Sequence, residues 1–193
     1  SYDNAGRLLQ TIDAANQSTT YAYNASGRLA TITNALGKTT AYGYDAVGNR
    51  TTVTDPLGRT TTTTYDTMNR VVAVTDAGNR TRQYTYDAAG QLVQTTSAAG
   101  RVTSYSYDAR GLFTSMTDAL GYSETYEYNS LGQRTKVTDP RGNSTHYGYD
   151  AAGQLSTVTD ALGGVVSFAY DVGGRLTGLT NANGKTTSFT YNL

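Results

Sequence analysis

Apolar and polar positions along this chain fall into two kinds of short segment, separated by turn residues. In Thr40, Tyr42 and Tyr44 every second side chain is large or β-branched, and the small Ala41 and Gly43 lie between them. A period of two predicts a strand, here with one ring-bearing face and one small or polar face. Copies of the middle position read Tyr21, Tyr42, Thr63, Tyr84, Tyr105, Tyr126, Tyr147, Phe168 and Phe189, so two columns of rings share a face. The second kind of segment, such as Gln154–Leu155–Ser156–Thr157–Val158–Thr159, spaces its apolar residues three apart. Leu155 and Val158 cannot share a face of a regular strand unless a bulge intervenes, so which of them faces the rings stays open. Both segments have ordinary strand length, about six or seven residues.

Turn chemistry divides the segments at two points. The first is an Asp-x-x-Gly stretch, as in Asp45–Ala46–Val47–Gly48, where the acid accepts a bond from a backbone N–H two residues on. The glycine there supplies the left-handed conformation that closes a hairpin with a bulge. This first turn recurs with Gly6, Gly27, Gly48, Gly90, Gly111, Gly132, Gly153 and Gly174, and Asn69 is the one substitute. The second turn, as in Asp55–Pro56–Leu57–Gly58, recurs with Gly37, Gly58, Gly100, Gly121, Gly142, Gly163 and Gly184, with Asn16 and Asn79 as substitutes. Asparagine is the non-glycine residue that best tolerates positive φ, so the exceptions obey the same backbone rule. Both prolines, Pro56 and Pro140, occupy the second position of the second turn, where a fixed φ is wanted and no N–H is missed.

These units repeat every 21 residues without insertion or deletion. A tyrosine followed by Asp or Asn marks each one: Tyr2–Asp3, Tyr23–Asn24, Tyr44–Asp45, Tyr65–Asp66, Tyr86–Asp87, Tyr107–Asp108, Tyr128–Asn129, Tyr149–Asp150, Tyr170–Asp171 and Tyr191–Asn192. Fixed self-similarity of this length implies one supersecondary unit stacked on copies of itself. The expectation is a single array over residues 1–193. Because the chain begins and ends inside the motif, it reads as a segment of a longer protein. The Tyr, Asp and Gly of each unit are the candidate functional residues, with a structural role.

Two all-β architectures suit such a unit. In one, each repeat is an antiparallel hairpin, and some eighteen strands form a curved or spiralling strip about 85 Å long at about 4.8 Å per strand. In the other, each repeat is a coil of a parallel β-solenoid. The solenoid would stack Asp45, Asp66, Asp87 and Asp108 as like-charged neighbours at about 4.8 Å, whereas the strip separates them by about 9.6 Å, where salt screens much of the repulsion. The strip is therefore the favoured reading. A single layer with an apolar face would aggregate, so it must curl, spiral against itself or pack on another body.

Composition removes several function classes. Seventeen Tyr and 21 Gly in a chain without Trp fit β-structure with many reversals. Fifteen basic residues balance fifteen acidic ones, so net charge offers no footprint for nucleic acid or an anionic membrane. No apolar stretch approaches the roughly 20 residues of a membrane-spanning helix, and none reads as a signal peptide. With no cysteine there are no disulfides and no thiolate chemistry.

The residues also carry a family resemblance. Tyr149–Asp150–Ala151–Ala152–Gly153–Gln154–Leu155 and Val53–Thr54–Asp55–Pro56–Leu57–Gly58–Arg59–Thr60 resemble the motif of the RHS/YD-repeat family, and the likeness runs the whole length of the chain. Members of that family are large bacterial surface, contact-inhibition and insecticidal-toxin proteins, together with animal teneurins. The resemblance implies a ribbon of hairpins that spirals into a hollow shell, which in toxin members encloses a C-terminal effector. The expected function is thus a structural strip of a secreted or cell-surface protein, partnered by the rest of its parent or an enclosed toxin domain. The alternative is a surface fibre or carbohydrate-binding module that self-associates or stacks sugars on its tyrosines. Asp55–Pro56–Leu57–Gly58 superficially resembles part of the family's self-cleavage motif, but it stands in register with every other second turn and reads as a turn.

No catalytic, cofactor or metal site is expected. His146 is the sole histidine, in a column otherwise filled by Thr, Ala, Gln and Ser, and reads as a solvated side chain rather than a general base. Turn carboxylates about 9.6 Å apart cannot share a Ca²⁺ ion whose ligands lie at about 2.3–2.6 Å. Arg59, Arg80 and Arg101 align after the second turn and could grip an anion, but Tyr122, Asn143 and Gly164 interrupt the row, so a solvated edge with local Asp pairing is the preferred reading. The ring columns are expected to pack on another layer rather than stand in water.

Overall fold

A computed structural model describes residues 1–192. Its strands are β1 (Gln10–Ile12), β2 (Ser18–Tyr23), β3 (Leu29–Thr33), β4 (Thr39–Tyr44), β5 (Arg50–Thr54), β6 (Thr60–Tyr65), β7 (Val71–Thr75), β8 (Thr81–Tyr86) and β9 (Leu92–Thr96). They continue with β10 (Val102–Tyr107), β11 (Phe113–Thr117), β12 (Ser123–Tyr128), β13 (Arg134–Thr138), β14 (Ser144–Tyr149), β15 (Leu155–Thr159), β16 (Val165–Tyr170), β17 (Leu176–Thr180) and β18 (Thr186–Ser188). Six-residue strands that end on the repeat tyrosine alternate with five-residue strands that end on threonine, apart from shorter strands at the two ends. No helix occurs among the described residues.

The chain divides into two units, the first holding Ser1–Asp87 and Thr95–Arg101, the second holding Ala88–Gln94 and the residues from Val102 onward. In the first unit β1 to β8 pair each with the next in sequence, always antiparallel. In the second unit β10 to β18 do the same. Hairpins in series are what the short Gly-closed and Asn-closed turns permit, since parallel neighbours would need long crossovers. The solenoid alternative is overturned by these pairings.

The register settles the apolar residues three apart. Tyr147 lies opposite Val158 and Tyr149 opposite Leu155, with a register shift between Gly148 and Tyr149. The extra residue is Ser156. Its hydroxyl and that of Thr157 both lie beside the α-carbon side of Gly148 that a β-carbon would occupy. A bulge therefore turns two successive residues to the polar face and leaves both Leu155 and Val158 with the rings. The same shift recurs at Gly43/Tyr44 and Ala22/Tyr23 in the first unit, and at Ser106/Tyr107, Glu127/Tyr128 and Ala169/Tyr170 in the second.

Neither unit has an enclosed core. Among the described residues no hydrophobic side chain is buried, and Gly178 is the one buried position. Strand residues are instead half-buried by sideways contact, as where the Phe113 ring lies 5.6 Å from Tyr107 and 5.2 Å from Tyr126. Among the described residues, neither unit supplies from within itself the layer expected over the ring columns.

Candidate functional surface

Each turn is built around one acceptor side chain. The Asp66 carboxylate accepts the backbone N–H of Met68 at 2.9 Å and that of Arg70 at 3.0 Å, and its second oxygen accepts Arg70 Nε at 2.8 Å. Asp108, Asp150 and Asp171 accept from the N–H groups two and four residues on, and Asp45 from those of Gly48 and Asn49. The main chain closes the same loop, since Asp66 N–H donates to Arg70 O at 2.9 Å and Asn69 N–H to Asp66 O at 3.0 Å. Five such bonds in the Asp66 turn, and four in the Asp150 turn, leave little backbone unsatisfied, which is why an exposed reversal holds one shape.

The turn residues singled out in the sequence take these positions. Gly48, Gly90, Gly111, Gly132, Gly153 and Gly174 have φ between +79° and +110°, Gly58 has +77°, and Asn69 stands in the same role at +61°. Donated hydrogen bonds stabilise the ionised carboxylates. The Arg70 backbone N–H, followed by its guanidinium, holds Asp66 below the ordinary value of 3.8, and the Arg80 guanidinium and N–H do the same for Asp76. Asp108 and Asp171 are lowered too, chiefly by the N–H groups of Leu112 and Arg175.

The repeat tyrosines connect one hairpin to the one before it. Tyr44 lies opposite Arg50 in its own hairpin, while the β3–β4 ladder ends at Thr31 and Ala41 and leaves Leu29 beyond it. The Tyr44 hydroxyl crosses that opening and donates to Leu29 O at 2.8 Å. The same bond to the carbonyl 15 residues back is made by Tyr23, Tyr65 and Tyr86 in the first unit, and by Tyr107, Tyr128, Tyr149, Tyr170 and Tyr191 in the second, at 2.7–3.0 Å. Turn arginines cover several of these rings: Arg70 Cζ lies 4.6 Å from the Tyr86 centroid and Arg175 Cζ 5.0 Å from that of Tyr191. Asp66, Arg70 and Tyr86 thus form a chain from turn to ring. Sequence reading missed the phenol bond. A signal for it existed, because the Tyr-Asp column keeps its hydroxyl in all ten copies while the adjacent ring column accepts Thr63, Phe168 and Phe189.

At the second turn, hydroxyl pairs bridge the strand ends, as with Thr54 and Thr60 at 2.8 Å and Thr138 and Ser144 at 3.0 Å. Arg59 and Arg80 pair with Asp55 and Asp76 at 2.6 and 2.7 Å, on an exposed edge. His146 is exposed, opposite Thr159 on one side and Lys136 on the other. Among the described residues no three His, Cys, Asp or Glu side chains converge on a metal-sized space, and no helix is long and apolar enough to cross a membrane. What this surface offers is exposed turns, most of them closed by their own acid or amide, and a half-buried field of phenols between them.

Residues 1–168 match the family described as Teneurin YD-shell. No curated protein matches the chain. A crystal structure of TcdB2-TccC3-TEV shares the fold with a TM-score of 0.73 at 17% identity, over 99% of this chain and 12% of that one. A crystal structure of TcdB2-TccC3 gives 0.72 at 18% identity, over 93% and 11% of the respective chains. The structure of the Photorhabdus luminescens Tc holotoxin pore gives 0.62 at 17%, over 96% and 15%. The chain therefore spans a small fraction of the length of these structures, and at such identities the likeness is one of fold.

Proposed function

The chain belongs to the Teneurin YD-shell family, and on that basis we propose that it is a single array forming part of the wall of a longer, exported or toxin-associated protein, which encloses or presents another component. The observation that carries this reading is the phenol bond from the repeat tyrosines, Tyr23 onward, to the preceding hairpin, together with the lack of any buried hydrophobic side chain among the described residues. Stability then resides in contacts between neighbouring repeats, and a layer built that way can be lengthened without acquiring a core. A wall needs this property and a compact binding domain does not. The partners that fit are the remainder of the parent chain or an enclosed polypeptide domain, with the parent secreted or at the cell surface. On this reading the array contributes no catalytic group: its one histidine stands exposed on the polar face, and turn carboxylates such as Asp66 and Asp76 are engaged by their own turns.

Protection of an enclosed component tests the proposal. In the longer protein, limited proteolysis should leave that component intact, and replacing Tyr128 and Tyr149 together by Phe should expose it to cleavage. Equal cleavage with and without the replacements would overturn the enclosing role. Saturable binding of a glycan by the purified chain, lost on replacing exposed Tyr122 or Tyr191, would favour the carbohydrate-binding alternative instead.

A further inference from the structure

Every second turn in the chain begins with Asp or Asn except one, where Ser97 takes the place. The difference leaves donors without their acceptor. Asp55 accepts the N–H of Leu57 at 2.9 Å, that of Arg59 at 3.0 Å and Arg59 Nε at 2.6 Å. Asp76 accepts the equivalent groups of Gly78 and Arg80 at 2.9, 3.1 and 2.8 Å. At Ser97 the turn itself is intact, with Ser97 N–H donating to Arg101 O at 2.8 Å and Gly100 N–H to Ser97 O at 2.9 Å. The shorter side chain, however, receives only the Arg101 N–H, at 3.1 Å. Among the described residues, the Ala99 N–H has no protein acceptor and the Arg101 guanidinium no carboxylate.

The surroundings add positive charge beside this turn. Ser97, Ala99 and Arg101 line an open cleft of about 420 Å³ together with Asp76, Arg80 and Arg82. Arg80 is committed to Asp76, whereas Arg82, projecting from β8 opposite Val74, forms no ion pair among the described residues. Three arginines thus face one aspartate. The corresponding cleft one repeat earlier sets Arg59 and Arg80 against Asp55 and Asp76 and is neutral, while the one near the start of the chain contains Asp13 and no base. The repeat supplies its own controls: the same backbone, with charge varied only by side chains.

We propose that the Ser97–Arg101 turn binds an external carboxylate at the position where its sister turns hold an internal one. The ligand accepts the Ala99 N–H and the Arg101 guanidinium, the pair of donors that Asp55 and Asp76 already satisfy in their own turns, and Arg82 adds the second positive charge. The inference does not depend on the shell reading. Its ligand chemistry is a carboxylate, carried either by a small acid or by an acidic side chain of a polypeptide.

Amide and Arg Nε–H chemical shifts of the whole chain, followed during an acetate titration at constant ionic strength, test it. The Ala99 amide and the Arg101 Nε–H should move together and saturate, while the Gly78 amide, already bonded to Asp76, stays still. Arg101→Gln should weaken binding roughly tenfold, the scale of one charge-assisted hydrogen bond. Ser97→Asp, which restores the side chain found in the other turns, should abolish it without unfolding the turn. A blocked tetraglutamate peptide that produces the same shifts at a concentration at least tenfold lower identifies a polypeptide acid as the source; an equal response per carboxylate identifies a small acid. An Ala99 amide that moves no more than that of Gly78, or a Ser97→Asp chain that titrates like the original, would overturn the proposal.

Discussion

A tyrosine hydroxyl that donates to a carbonyl outside the strand ladder carries a cost when removed, because the acceptor loses its partner as well. For Tyr128, whose phenol meets Phe113 O at 2.8 Å, replacement by Phe should cost about 1 kcal/mol in a denaturant melt. Tyr147 belongs to the neighbouring column, which already tolerates Phe168 and Phe189, and makes no such bond among the described residues. Tyr147→Phe should stay within about 0.5 kcal/mol. The turn acids give a second expectation at this scale. Asp66, Asp76, Asp108 and Asp171 are held below 3.8 in the folded chain, so their contribution is complete above that value and is lost as pH falls through it towards their folded pKa values. The denaturation midpoint should hold steady down to about pH 5 and decline below about pH 4; a midpoint that rises on acidification would contradict the turn geometry. Positive-φ positions were legible residue by residue, since only Gly and Asn occupy them, and so was the acid two residues before a bonded N–H. The phenol acceptor was not, because a backbone carbonyl has no residue identity to read. The second N–H held by each acid, four residues on, escaped notice for the same reason.

Among the elements, strand number and antiparallel order followed from the spacing of the turns, while the strands proved six and five residues long rather than six or seven; the like-charge argument against stacked coils chose correctly between two layouts. The facing of Leu155 and Val158 did not follow, because a bulge is a backbone event that the side chains announce only by an awkward spacing. Its consequence is now specific: Val158 shares the ring face with Tyr147, while Ser156 and Thr157 share the other. Val158→Asp should therefore cost about 1–2 kcal/mol, the scale of losing a partly buried aliphatic side chain, whereas Thr157→Asp should cost less than about 0.5 kcal/mol. Thermal melts of the two variants check this, and equal losses would place the bulge elsewhere. The layer expected over the rings was argued from the aggregation hazard of a bare apolar face. Physical need fixes that some cover is required, and the repeat pattern cannot say which body provides it.

At the scale of the whole molecule the repeat is the unit of stability, since within each unit a hairpin is held by the ladder and phenol of its neighbours and, among the described residues, no hydrophobic side chain is buried. Family membership was legible because ten Tyr-Asp or Tyr-Asn pairs in strict register leave few other readings. The exceptional Ser97 turn is legible in the same way, as one break in a column whose meaning needed the bonds of the other turns. The most direct test excises whole or partial repeats and compares their denaturant midpoints. Removing residues 107–127 joins Ser106 to Tyr128 and keeps every remaining tyrosine in phase, so the chain should retain its β signature and a cooperative transition at a modestly lower midpoint. Removing residues 108–127 takes out one residue fewer and shifts the phase, so the same measurement should show a much larger loss. Equal midpoints for the two chains, or loss of folding in both, would contradict a sheet stabilised repeat by repeat.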